Sequence, residues 1–306
     1  MNELKNRNEL LPVSVLMPVY NAERYLVDAT ESILNQTFEE FEFIIIDDGS
    51  TDGSLSILHE FAARDSRIRL VSRPNRGLVQ TLNEGLALAR GSFVARMDAD
   101  DIAFADRIAL QLGYLKSHAE CVVVGCSILW IDPEGEPIRM MDAATTHEHI
   151  TEILLRGRGG ICHPGAMFRR ATALEIGRYR AAYEYAEDID FFLRCGERGR
   201  LANLSQCLLK YRQHFTSICA SRHHLQRERA EAAVREACVR RCISPSNLAL
   251  YYPPVRGKSE THRLWSGLAQ TDGFSKASRK HALRAVLSSP LTIRAWGRLV
   301  RSFGSS

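Results

Sequence analysis

Nowhere in the 306 residues does an apolar run reach the roughly 18 to 20 positions that a membrane-spanning helix requires; the best stretches are strand-length, such as 43–46. The first eleven residues mix Glu, Lys, Arg and Asn with leucine and have no apolar centre of the kind a secretory signal needs. The eight cysteines form no C-x-x-C pair and no Cys/His spacing suited to zinc. They read as small buried hydrophobes in a reducing compartment, and the chain reads as cytoplasmic. No G-x-G-x-x-G follows the first strand-like run and no G-x-x-x-x-G-K-[ST] occurs, which removes the two commonest backbone cradles for phosphate. Interleaved aromatics are missing from the basic C-terminal part, which argues against a nucleic-acid role.

What is present is an alternation of two periodicities over the first 125 residues. Strand-like runs at 13–19, 41–46, 68–71 and 93–97 are each followed by a polar turn and then by a helical spacing of apolar residues. Such alternation predicts βαβ units and a mostly parallel, Rossmann-like sheet flanked by helices. Asn21 is expected to cap the first helix, and Asp52 the second. After 121–131 the pattern is less regular; a turn at 132–135, helices over 145–155 and 187–195, and strands over 165–168 and 201–211 are expected. The unusual polar residues gather where strands end: Tyr20 and Asn21, Asp47 and Asp48, Asn75 and Arg76, Asp98 and Asp100. In open α/β sheets this is where ligands bind. Alternation along an extended end would place Asp98 and Asp100 on one side with Ala99 towards the sheet. A carboxylate pair there repels phosphate unless a cation bridges them, which points to Mg²⁺ or Mn²⁺.

Set in order, the motifs are P-V-Y-N at 18–21, D-D-G-S-T-D at 47–52, N-R-G at 75–77, N-E-G at 83–85, D-A-D-D at 98–101, H-P-G at 163–165 and E-D-I-D at 187–190. Over residues 12–214 the chain resembles the inverting glycosyltransferases called family 2, which have a GT-A fold. The resemblance implies a nucleoside-diphosphate sugar as donor, most often a UDP sugar, and a saccharide or lipid-linked acceptor. It implies that Asp48, assisted by Asp47, contacts the base or ribose and that Pro18, Tyr20 and Asn21 frame it. Arg76 either reaches a phosphate or is merely solvated. Asp100 would bind a divalent cation directly and Asp98 would bind the ribose or the same metal through water, with His214 either a third ligand or a structural histidine. Asp188 would be the base that deprotonates the acceptor hydroxyl and Glu187 would orient that acceptor. His163 would contact the acceptor or serve structurally.

These readings divide the chain into a glycosyltransferase domain at 1–220, with 12–115 on the nucleotide side and 116–220 on the acceptor side, and a helical extension at 221–306. The extension holds sixteen Lys/Arg against five Asp/Glu, a net +11, so the total of +4 leaves −7 for the rest. It is expected either to dock on anionic membrane or to pack as a cap. A sugar-phosphate nucleotidyltransferase is the nearest rival enzyme, but 18–21 is not the Gly-rich basic loop it requires. A non-catalytic sugar-nucleotide-binding subunit of a polysaccharide-assembly complex is the alternative outside enzymes, and the joint presence of Asp98, Asp100 and Asp188 argues against it.

Overall fold

The computed structural model describes residues 11–215, 223–244 and 256–303. The expected strands form as β1 (Val13–Val19), β2 (Phe41–Asp47), β3 (Ile68–Ser72) and β4 (Phe93–Arg96). Between them lie α1 (Leu26–Leu34), α2 (Ser54–Arg64) and α3 (Leu78–Leu88). These four strands are parallel and ordered β3-β2-β1-β4, so the chain reverses its direction of travel across the sheet between β1 and β4. Every residue of β2 is buried, as expected of a strand covered on both faces. Gly85 of α3 lets that helix lie on the sheet: a Cβ there would stand 2.1 Å from Leu16 Cδ1.

The second half of the sheet is antiparallel-rich, which the alternating pattern of the first half does not foreshadow. It adds β5 (Ile102–Ala103), β6 (Cys121–Ile131), β7 (Pro137–Met141), β8 (Met167–Arg169) and β9 (Arg200–Arg212). The sheet continues β4-β8-β6-β9-β5, with β7 paired to β6 through the 132–135 turn. Helices α4 (Arg107–Ser117), α5 (His147–Leu155), α6 (Arg170–Glu175) and α7 (Glu187–Cys195) cover it. The strand expected at 165–168 is displaced because a one-turn 3-10 helix occupies His163–Gly165. In the extension, α8 (His223–Arg240) places Ala230, Val234, Ala237 and Cys238 in the same apolar cluster as α7. After it come α9 (Lys258–Thr271), α10 (Ser275–Ser288) and α11 (Ile293–Phe303). The break expected at 244–254 falls almost wholly outside the described residues, as do residues 1–10.

Candidate active site

The loops after β1, β2 and β3 are tied together by side chains that the strands deliver at their ends. Asp47 closes the turn it comes from, accepting from Ser50 N at 3.2 Å and Ser72 Oγ at 2.8 Å, and is buried. Asp48 reaches the next loop, where it accepts the backbone N–H groups of Arg76 and Gly77 at 2.8 and 3.0 Å and pairs with Arg73. Arg73 also donates to Glu84 Oε2 at 2.7 Å and Thr81 Oγ1 at 2.9 Å. Gly49 sits at φ +75° with its missing Cβ only 2.6 Å from Asn75 N, so the two loops press together where a side chain has no room.

Asn21 does not cap α1. It lies at φ 50°, its Oδ1 accepts from Thr51 N at 2.7 Å, and the helix begins only at Leu26. The N–H groups that such a cap would satisfy go instead to the neighbouring turn, with Ala22 N on Ser54 Oγ and Glu23 N on Asp52 Oδ2. Asp52 also accepts from Ser54 N, the first residue of α2. Pro18 lies within β1 opposite Ile46, the Tyr20 ring is half exposed, and the Arg76 side chain is exposed at the rim.

Beyond β4 the chain makes a turn rather than an extended end, so the acidic residues converge by a different geometry from strand alternation. Asp98, Asp100 and Asp101 bring carboxylate oxygens within 4.8 Å of one another. Arg96, almost fully buried, pairs with Asp98. His214 Nε2 lies 2.8 Å from Asp100 Oδ2. Arg212, at the end of β9, clamps the turn from below: its N–H donates to Asp101 Oδ1 at 2.8 Å and its Nε to the Asp100 carbonyl at 2.7 Å. Burial raises the Asp98 carboxyl despite Arg96, and burial together with Asp100 and Asp98 raises Asp101 well above the carboxylate range. Asp101 Oδ2 is buried without a hydrogen-bond partner. Crowded carboxylates with an unsatisfied oxygen suit a hard divalent cation, and these oxygens and His214 could hold one.

The first turn of α7 supplies the other carboxylates. Asp188 is half-buried and accepts from Ile189 N at 2.8 Å; burial raises its pKa, opposed by that bond and by Arg96. Glu187 is buried with Oε2 unpartnered, and burial with the neighbouring Asp188 pushes it up to about 8. Its burial sets it behind the open part of the site. His163 is buried too, 2.8 Å from the Tyr179 hydroxyl and edge-on to Phe192, which is the structural alternative of the two roles expected for it. Tyr179 is held at its backbone by Asn83, so the N-E-G motif ties α3 to the segment between α6 and α7.

Two contributors were not singled out from sequence: Arg73 and Arg96. A signal existed for Arg96, since an arginine inside an apolar strand is costly unless paired.

The family model described as "Glycosyl transferase family 2" matches residues 14–177. The chain is 34% identical over 242 residues to an uncharacterized glycosyltransferase of Haemophilus influenzae, covering 73% of this chain and 72% of the relative. It is 37% identical over 207 residues to the putative glycosyltransferase EpsE of Bacillus subtilis, with 66% and 73% covered. With the O-antigen biosynthesis glycosyltransferase WbnJ of Escherichia coli it shares 31% over 244 residues, 78% and 94% of the two chains. Among solved structures, residues 1–349 of S. aureus TarS in complex with UDP-GlcNAc superpose with a TM-score of 0.61 at 18% identity, covering 95% of this chain and 89% of that one. The mannosyltransferase PcManGT of Pyrobaculum calidifontis, in complex with GDP-Man and Mn²⁺, gives a TM-score of 0.57 at 16% identity, covering 97% and 81%. At these identities the structural likeness establishes the fold, of the GT-A type.

Proposed function

The chain belongs to glycosyl transferase family 2, and on that premise we propose a metal-dependent, inverting transfer of a sugar from a nucleoside-diphosphate sugar, UDP being the first nucleotide to test, to a hydroxyl of a saccharide or lipid-linked acceptor. Residues 12–115 would hold the donor and 116–220 the acceptor. The observation that carries the proposal is the convergence of Asp98, Asp100 and Asp101 at the end of β4.

Asp48 suits the nucleotide. A carboxylate has about four lone-pair sites; three donors fill three of them, and the remaining one on Oδ2 can accept an N–H from a base. Tyr20 offers a half-exposed ring at the rim beside it, and Arg76 an exposed cation. Asp47 and Asn21 serve this reading indirectly, by holding the turn that presents Asp48.

Asp98, Asp100 and the free oxygen of Asp101 would hold the cation, which when bound neutralises charge on the departing diphosphate. As placed, His214 orients Asp100; for its Nε2 to become a ligand, that hydrogen bond must open. Asp188 takes the acceptor proton as the acceptor oxygen bonds the anomeric carbon and the bond to the nucleoside diphosphate breaks in the same in-line step. Its raised pKa, the result of burial, makes it a stronger base than an exposed aspartate. Glu187, pushed up to about 8, holds a proton at neutral pH, so it is unsuited to that role and fits one of positioning. A lipid-linked acceptor would bring the enzyme to the inner face of a membrane.

Thermal-shift screening of nucleoside diphosphates and their sugars, with and without Mn²⁺, tests the donor half: a ligand at a hundred times its Kd adds about 2.7 kcal/mol. No Mn²⁺-dependent shift with any nucleotide would sink the metal-site reading. Turnover with a donor and acceptor panel separates the enzyme from a non-catalytic subunit.

A further inference from the structure

The outer face of the last helical hairpin carries apolar surface that no described residue covers. α10 and α11 run antiparallel, with Arg279 over the Phe303 ring at 5.2 Å at one end and Ala285 and Val286 packed on Ala295 further along. That register sets Leu283 beside Val300 and Leu287 beside Trp296. These side chains are exposed by 50%, 72%, 69% and 51%, and Ile293 and Leu291, where the helices join, by 87% and 97%. Exposed apolar side chains gathered on one face, rather than scattered singly, mark an interaction surface.

At about 100° per residue, α11 turns Ala295 and Ser302 into the protein, points Ile293, Trp296, Val300 and Phe303 outward, and sets Arg294 and Arg301 along the neighbouring edge. Past that edge lies a groove lined by Arg256, Arg263, Arg294, Arg298 and Arg301, with Glu260 its one acidic residue. Residues 275–303 contain seven Lys/Arg and no Asp or Glu at all. The outer face is therefore half apolar and half cationic.

We propose that this face docks the protein on an anionic phospholipid bilayer, the ridge entering the acyl boundary and the arginines meeting lipid phosphates. A nucleic acid would match the cations but not the ridge. A second copy would match the ridge but set cation against cation. The proposal stands apart from the donor and acceptor reading, and its readout uses no substrate.

The test is co-sedimentation of the full chain with vesicles of neutral phosphatidylcholine, alone or with roughly a third phosphatidylglycerol. Wild type should pellet with the anionic vesicles, should stay in solution with the neutral ones, and should release as salt rises to about 0.5 M. Arg294→Gln with Arg301→Gln should weaken partitioning about 30-fold, from two lost surface cations. Ile293→Ser with Val300→Ser should weaken it at least as much; all four residues are exposed, so both variants should melt with wild type. Wild type remaining in solution with anionic vesicles would overturn the proposal, as would both variants partitioning like wild type. So would a wild-type dimer in sedimentation velocity that Ile293→Ser with Val300→Ser dissolves, since the ridge would then be a self-association face.

Discussion

Arg96 faces a group of buried or half-buried acids, Asp98, Asp101, Glu187 and Asp188, and its Nε has no hydrogen-bond partner among the described residues. One guanidinium cannot neutralise four carboxyls, so some carry protons and some await a cation. This divides the acids by task. Asp100→Asn should abolish Mn²⁺-dependent nucleoside-diphosphate binding by calorimetry while the melting temperature holds, because Asp100 is partly exposed and its removal leaves no buried charge behind. Unchanged affinity would remove it from the metal site. Asp188→Asn should lower turnover by roughly 10² to 10⁴-fold, the usual contribution of a positioned base. On the proposed reading donor affinity should barely move, since the nucleotide base would be held at Asp48 and the general base at Asp188 would act only in the transition state. Retained turnover would shift the base to another group; no measurable turnover in wild type across a broad panel would favour a binding subunit.

At the scale of elements, the glycine of N-E-G does a different job from the glycine of D-D-G-S. Gly49 serves both a left-handed conformation and a close approach, whereas Gly85 serves distance alone, because α3 lies so close to β1 that a methyl group would overlap Leu16. Gly85→Ala should therefore cost stability, about 1–3 kcal/mol in urea unfolding, despite the better helix propensity of alanine. A stabilised variant would mean that Leu16 swings aside without strain. The parallel half of the fold was legible because each strand there is a continuous apolar run closed by a polar turn, and helix 187–195 was legible from Ile189, Phe192 and Leu193 on one face. The antiparallel half was less so: β5 and β8 are two and three residues long, shorter than any period can register, and their pairing is set by tertiary contacts. In the site, Asp98, Asp100 and His214 could be read from motif and position, and the structure brings them together. Arg73 could not, since nothing local distinguishes it from a solvated arginine; only the fold turns it inward onto Asp48 and Glu84.

For the whole molecule, the question is what fastens the C-terminal helices to the sheet, and the joint is the β6–β7 turn. Asp132 Oδ1 accepts the N–H groups of Glu134 and Glu136 and so shapes the turn, while Oδ2 faces Lys280 and lies 3.1 Å from His281 Nε2. Glu134 adds Arg284 and Glu136 adds Lys276 at its rim. Those partners hold the Asp132 carboxyl far below its usual range against the effect of burial. The same turn gives its Pro133 carbonyl to Arg212, which clamps the Asp100 and Asp101 turn. The helices and the acidic cluster thus share one hairpin. Asp132→Ala removes both the shaping bonds and the charge that buried His281 faces; it should cost on the order of 3–5 kcal/mol, the usual loss when one partner of a buried pair is deleted. It should also weaken Mn²⁺-dependent nucleotide binding, because Arg212 loses a fixed support. Asp132→Asn keeps an oxygen for the two N–H groups but sets an amide NH2 where the charged oxygen faced Lys280 and His281, so it should lose stability but retain nucleotide affinity. Urea unfolding and calorimetry on both variants decide the matter. If Asp132→Asn loses nucleotide affinity as fully as Asp132→Ala, the charge acts on the site directly; if Asp132→Ala binds like wild type, the hairpin does not couple the helices to the acidic cluster at all.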